Sequence, residues 1–266
     1  MPRQAWQPFT PRGVAAFAGA TFSRVLLAQL LIAALVAASL LWFISAAWVP
    51  VITEAIQHLP DTGSIQRGEL DFGGESPQRL AENPRLAVVV DVAGARDAGH
   101  TAELEVVFEK TRVVVRGPLG AWWQPYDPNH VIHFNRPQLT PWWGAWRWAI
   151  LALIALATVA SLYVMWWSLA LLYLPLVKVI AFFADRVVTW GGAWRLAAAG
   201  LLPGACLVAV ALVLHGFGAV DLFRFGLLYV LHGVVGFIFV VTSPFFLPKL
   251  VPVVKIKNPF TSADNP

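Results

Sequence analysis

Few residues in this chain have types and spacings that could do chemistry. Asp61-Thr62-Gly63 matches the signature of aspartic proteases. That chemistry needs two carboxylates sharing one proton. No second Asp-Thr/Ser-Gly occurs, and Leu59-Pro60 stands where an apolar strand should lead into the loop. Turn formation accounts for the triplet, since Asp and Gly are common turn residues. His130 and His133 are three apart; on a strand they fall on opposite faces, a poor arrangement for a shared metal. Asp127 and His100 would join them only through the fold. No HExxH, Walker loop or Gly-x-Ser-x-Gly elbow occurs. DFGGES and TWGGAW lack the strand–loop–helix setting of a phosphate cradle. The single cysteine, Cys206, allows neither an intrachain disulfide nor a thiolate zinc cage. The residues therefore lead us to expect no catalytic set, no cofactor and no metal.

Composition turns attention from chemistry to solvent. Of the 266 residues, 58% are hydrophobic and 13% charged, with a mean hydropathy of +0.65. Soluble domains carry about 25% charged residues, so these charges cannot cover a water-facing surface. A soluble globule, a disordered chain and a nucleic-acid binder are excluded; the scattered bases form no phosphate-binding face. Residues 25–53, 148–177, 196–220 and 225–248 hold no Asp, Glu, Lys or Arg. Each run exceeds the roughly 20 residues that cross a hydrocarbon core as a helix. Four transmembrane helices are expected, at 24–49, 147–174, 195–217 and 222–246. The stretch from Arg24 to Ala47, with small Ser45 and Ala47, also resembles a cleavable signal. Its apolar run exceeds the roughly 7–15 residues usual there.

Charge sets the expected orientation. Residues 50–146 hold twelve acids against eight bases, whereas the rest of the chain holds three acids against eleven bases. The basic excess falls in the N-terminal segment 1–23 (Arg3, Arg12), at Arg24, in the loop 175–194 (Lys178, Arg186) and at Arg195 just beyond it, and in the tail 247–266 (Lys249, Lys255, Lys257). By the positive-inside rule these segments and both termini are cytoplasmic, and 50–146 lies outside. Trp42, Trp48, Trp142, Trp143, Trp146, Trp148, Trp190 and Trp194 sit near the expected span ends, as aromatic belts do. Residues 175–185 either lie flat at the interface or extend the second span.

Strand signals dominate 50–146. The segments 64–72, 85–92, 102–110, 111–117 and 130–135 read as strands, separated by turn formers. Ser76-Pro77 reads as the start of a short helix over 76–83, and Thr140-Pro141 as the start of the second span. Residues 50–58 read as an outward continuation of the first helix. The expected fold class is an α-helical integral membrane protein carrying a small β-rich α+β extracytoplasmic domain between helices one and two, its sheet antiparallel. The loop 117–130 places Trp122, Trp123 and Tyr126 among glycines and prolines. These three are candidate contacts for a partner or the membrane surface; the plainer alternative is that the tryptophans cap the sheet or rest among headgroups.

Within the expected spans polar residues are scarce. His232 and Gln29 are candidate intramembrane polar contacts, each expected to bond a neighbouring helix. His215 lies near the outer end of the third span, too far along from His232 for a proton relay. Gly200 and Gly204, flanking Pro203, and Gly233 with Gly236 are candidate helix-packing residues, and Ala33 with Ala37 repeats small-xxx-small spacing. Pro203 should interrupt its helix.

Several short motifs share one layout: WQPF near the start, Leu59-Pro60 before an Ile-x-x-Gly-Glu-Leu stretch at 65–70, Val88-Val89-Val90-Asp91, Trp194-Arg195-Leu196 and Leu202-Pro203-Gly204. This layout resembles a bacterial multi-pass membrane family of unknown function, some of whose members are described as maltodextrin-utilisation accessory proteins. The resemblance implies a bacterial inner-membrane protein without assigned catalytic residues. The expected function is non-catalytic: binding or sensing through the outer domain, or scaffolding a membrane complex. A transporter accessory subunit is the alternative, and a membrane-embedded enzyme using Asp127, His130 and His133 the third reading. Expected partners are the lipid bilayer and a membrane protein or second copy of the chain, not nucleic acid.

Overall fold

The computed structural model describes residues 7–94 and 102–250. Arg3, His100, Lys255 and Lys257, used above, lie outside the described residues. Seven α-helices and seven strands follow in the order α1 (Pro11–Ala16), α2 (Phe22–Phe43), α3 (Val49–Gln57), β1 (Gly63–Gln66), β2 (Glu69–Phe72), β3 (Gln78–Glu82), β4 (Leu86–Asp91), β5 (Leu104–Glu109), β6 (Arg112–Gly117), β7 (Gly120–Pro125), α4 (Arg136–Phe183), α5 (Trp190–Gly200), α6 (Leu202–Gly216) and α7 (Leu222–Thr242). Among the described residues, four helical stretches are long and apolar enough to cross a membrane: Phe22–Gln57, Arg136–Phe183, Trp190–Gly216 and Leu222–Phe246. The chain is thus a mixed α+β protein of long apolar helices and a small β-sheet region.

Local chemistry explains the helix boundaries. Pro50 has no N–H to continue the α2 ladder. A π-helical turn at Ile44–Trp48 takes up the irregularity, with the Val49 N–H donating five residues back to Ile44, and α3 carries on in the expected place. α4 begins earlier than Thr140-Pro141. Asn135 caps it, its Oδ1 accepting from the Gln138 N–H at 3.1 Å, and Pro137 occupies the first turn, where its missing N–H costs nothing. α4 then runs unbroken to Phe183, so residues 175–183 extend the helix. At about 1.5 Å per residue it is some 70 Å long. The break at Leu201 separates α5 from α6, where Pro203 withdraws a donor.

The chain divides into two compact units. One is built from the described parts of Met1–Ile32, Tyr163–Ala205 and Leu231–Pro266. Its core gathers Val14, Phe17, Val25, Ala170, Val177 and Val240 around a fully buried Leu196–Ala199. Glycines permit close approach there. A β-carbon on Gly204 would meet the His232 carbonyl oxygen at 2.2 Å, and one on Gly200 would meet Val240 at 2.9 Å. Gly236 lies against Leu201. Gly233, expected to pack with them, instead faces open space.

The other unit comprises Ala33–Leu162 and Cys206–Val230. β1 and β2 form an antiparallel hairpin, and a five-stranded sheet runs β3-β4-β5-β6-β7. The single strand expected over 64–72 is this hairpin, because Arg67 and Gly68 both take positive φ (54° and 78°), as a two-residue hairpin turn requires. The sheet is mixed, since β4 pairs with β5 in parallel register, Val88 opposite Val106. The helix expected over 76–83 is strand β3, paired with β4. Ser76 Oγ there accepts from the Val92 N–H at 2.8 Å rather than capping a helix. The strand expected over 130–135 is a single bridge, Ile65 to Ile132. Val51 and Ala55 of α3 close one sheet face with Leu59, Leu80, Val88, Val90 and Phe134; on the other, Val89, Val107 and Val114 are buried together.

The glycine contacts give a paired prediction. Gly204→Ala forces a methyl group into the His232 carbonyl and should cost about 1–3 kcal/mol, as overpacking does. Gly233→Ala should leave the thermal unfolding midpoint in detergent unchanged or raised. Equal midpoints for both variants would contradict the packing.

Candidate functional site

The hairpin joining β6 to β7 turns through Pro118-Leu119, with Gly117 opposite Gly120. Gly120 has φ +124°, a conformation that side chains rarely adopt. Residues 117–130, read from sequence as loop, are thus half strand. In β7, Val115 faces Trp122 and Val114 faces Trp123. Neighbouring residues of a strand point to opposite faces, so Trp122 joins the Val106 face and Trp123 the Val107 face. Both rings are well exposed, at 60% and 55%, and Leu119 at the turn is wholly exposed. The Arg112 guanidinium lies over the Trp123 ring at 5.6 Å.

The backbone of β7 is the less obvious half of this surface. The Tyr126 N–H donates to the Thr111 carbonyl at 3.1 Å. Hydrogen-bonded pairs alternate along an antiparallel ladder. Residues 120, 122, 124 and 126 therefore turn their backbone groups toward β6, while Ala121, Trp123 and Pro125 turn theirs outward. β7 ends the sheet order, and all six of its residues are exposed. Its outer edge presents two N–H donors and three carbonyl acceptors; Pro125 has no N–H to offer.

Tyr126, grouped with the tryptophans from sequence, is built differently. It is half-buried, and its hydroxyl donates to the Glu109 carbonyl at 3.0 Å. Burial, with the Glu109 carboxylate nearby, pushes its phenol above the ordinary range. It anchors the end of β7 rather than offering a contact. Beyond it, His130 Nδ1 lies 2.6 Å from Asp127 Oδ2 on the surface. Hydrogen bonding from the Asn129 N–H, and then from His130, holds the Asp127 carboxyl below its usual range. This is a self-satisfied turn, and among the described residues no three His, Cys, Asp or Glu are placed to hold a metal. Asp61 pairs with Arg136 at 2.5 Å, both largely exposed. An open depression lined by His58, Pro60, Gly74, Glu75, Pro77 and Gln78 offers about 340 Å³, but His58 Nδ1 is already spent on the Leu80 carbonyl at 2.7 Å.

In the other unit, Gln29 is fully buried. Its Oε1 accepts from Trp167 Nε1 of α4 at 3.2 Å, while its Nε2 has no partner among the described residues. His232 is half-buried on α7, its backbone carbonyl facing Gly204.

One constellation was not legible in sequence. Arg85 is ion-paired to Glu103 and donates through Nη2 to the His215 carbonyl at 2.7 Å. His215 Nε2 lies 3.2 Å from Glu103 Oε2, and its Nδ1 lies 3.0 Å from the Val220 carbonyl. Both ring nitrogens face oxygen atoms. Phe43 and Phe225 flank it, with ring centres 5.3 and 5.2 Å away. The network pins the starts of β4 and β5 to the end of α6. Its members are spent on one another and on backbone carbonyls, and its chemistry is that of a clamp.

Comparison with protein-family profiles, curated proteins and solved structures finds no match for this chain.

The clamp predicts non-additivity. Glu103→Ala and His215→Ala should each destabilise by about 1–3 kcal/mol, the cost of orphaning a buried polar partner. The double variant should fall short of their sum by about 0.5–3 kcal/mol. Simple additivity in denaturant unfolding would dissolve the network.

Proposed function

We propose that this chain is a non-catalytic, multi-pass membrane protein of a bacterial inner membrane that binds or scaffolds through its sheet region. The observation that carries the reading is β7, an edge strand exposed along its whole length and bearing two exposed tryptophans. Membrane insertion is supported by four apolar helical stretches, and for Arg136–Phe183 only 6% of the most apolar stretch is buried within the protein. Water would not tolerate that much bare apolar surface; lipid does. Charge asymmetry supports cytoplasmic termini, a cytoplasmic Lys178–Arg186 segment and an outer face for the sheet region. The short-motif resemblance supports the bacterial setting and a role without catalysis.

A transporter accessory subunit is the second reading. It is favoured by Gly233, which faces open space on an otherwise bulky helix and would suit close approach by a partner helix.

Native-lipid extraction with mass determination of the intact particle tests the binding reading. Wild-type particles should exceed the 29.1 kDa of one chain, and Trp122→Ala/Trp123→Ala should reduce the particle to one chain at unchanged thermal stability. Equal masses for wild type and variant would remove β7 from the function.

A further inference from the structure

We infer that β7 is a self-association edge: it pairs antiparallel with β7 of a second copy of this chain, about a two-fold axis at Trp122. The inference rests on the reading that the sheet region binds through β7. Proteins ordinarily guard a free sheet edge with charge, a bulge, proline within the strand or a covering element. β7 has none of these over Gly120–Gln124. Its sequence GAWWQ is uncharged, its register with β6 is unbroken, and it is exposed throughout. The ends are bounded, by the Gly117–Gly120 turn on one side and by Pro125 on the other.

An occupant of this edge must be extended, because only a strand meets alternating donors and acceptors at this spacing. A second β7 meets both outward N–H groups and leaves over only the Pro125 carbonyl, which lies beyond the paired stretch. With Trp122 opposite Trp122, Ala121 lies opposite Trp123 of the partner, and both outward N–H groups of each strand find carbonyls. Centring on Trp123 instead gives as many bonds but brings Pro125 inside the ladder opposite Ala121, so that the Ala121 carbonyl faces a proline ring where the ladder needs an N–H. Self-pairing sets no like charges opposite one another and brings two aromatic rings together across the axis, a favourable cross-strand pair. A strand partner of another sequence gains nothing from this edge by charge, since the edge carries none.

The register is testable by disulfide trapping. Cys206 is the sole cysteine, so a Cys206→Ala background leaves one introduced thiol. Directly opposed, non-hydrogen-bonded residues lie about 4.5 Å apart at Cα, within disulfide reach. In this pairing two Leu119 residues are six positions apart along the strands, about 20 Å, and two Trp123 residues are offset by two positions. Full-length protein in native-lipid particles should therefore cross-link at Trp122→Cys about tenfold more than at Leu119→Cys or Trp123→Cys, although Leu119 is the most exposed of the three. Cross-linking that follows exposure, strongest at Leu119→Cys, would overturn the inference, as would strongest cross-linking at Trp123→Cys.

A second variant guards against a local fold effect at Trp122. Ala121→Pro removes an outward N–H that the β6 ladder does not use. It should convert a two-chain particle to one chain while the thermal midpoint holds. A two-chain mass retained in Ala121→Pro would place the self-contact elsewhere, and a one-chain wild type would overturn it. If the wild type carries extra mass that is not a second copy, or if trapping fails while Trp122→Ala/Trp123→Ala still sheds mass, the binding reading survives without the self-pairing.

Discussion

A backbone amide withdrawn from water must find a partner or cost several kcal/mol, and this single requirement shapes most of the chain. α4 meets it along 48 residues, with the Asn135 side chain capping its start. Where a proline removes a donor, the ladder adjusts. Pro50 coincides with a π-helical turn, Pro137 sits in a first turn that needs no N–H, and Pro203 coincides with the break between α5 and α6. In the sheet the same requirement is met sideways, strand by strand, until β7, where it stops being met from within. The outer edge of β7 is the place where the protein's own backbone asks for something else.

The requirement also explains why small residues concentrate where they do. Helices that satisfy their own backbones have no hydrogen-bonding reason to associate, so contact depends on how closely they approach. Leu196–Ala199 is fully buried because Ala197, Ala198 and Ala199 have little side chain to hold neighbours away. Gly200 and Gly204 go further and bring α7 to backbone contact. Gly233 shows that spacing alone does not decide the matter. It shares a helix with Gly236, three positions away, yet only Gly236 meets a neighbour. Three residues turn a helix by about 300°, and that leaves the two glycines on flanks separated enough to have different surroundings.

The long helices were legible because charge-free runs are a property of composition, which tertiary structure cannot override. Strands were legible where β-branched runs were dense, at 86–91 and 112–117. Short polar segments misled. Ser76-Pro77 carries a genuine helix-start signal, but pairing of 78–82 with β4 outweighs it, since a buried strand edge has more hydrogen bonds at stake than one cap. The Arg67-Gly68 turn carried a readable hairpin signal in its glycine. Trp122 and Trp123 were recognised by exposure-prone composition, but their strand was hidden because glycine and proline mark both a loop and the two ends of a short strand. Tyr126 was misgrouped for a related reason: a half-buried tyrosine and an exposed one look alike until the acceptor for the hydroxyl is known.

The clamp of Arg85, Glu103 and His215 was out of reach of local reading altogether, since 130 positions separate its first member from its last. Its physical logic is nevertheless simple. A sheet inserted after one helix and before another is tied covalently only through α3 and α4, and a single buried ion pair would be a weak additional tie because desolvation offsets much of its attraction. Here the guanidinium also meets the His215 carbonyl, which the Gly218 N–H reaches as well, and the imidazole also meets the Val220 carbonyl. The first carbonyl belongs to the last turn of α6 and the second to the link that leads into α7. The charged groups thus hold the backbone where α6 gives way to that link. β7 leaves its outer backbone open, whereas the starts of β4 and β5 carry side chains that grip the backbone of another element, and this is what fastens the sheet down.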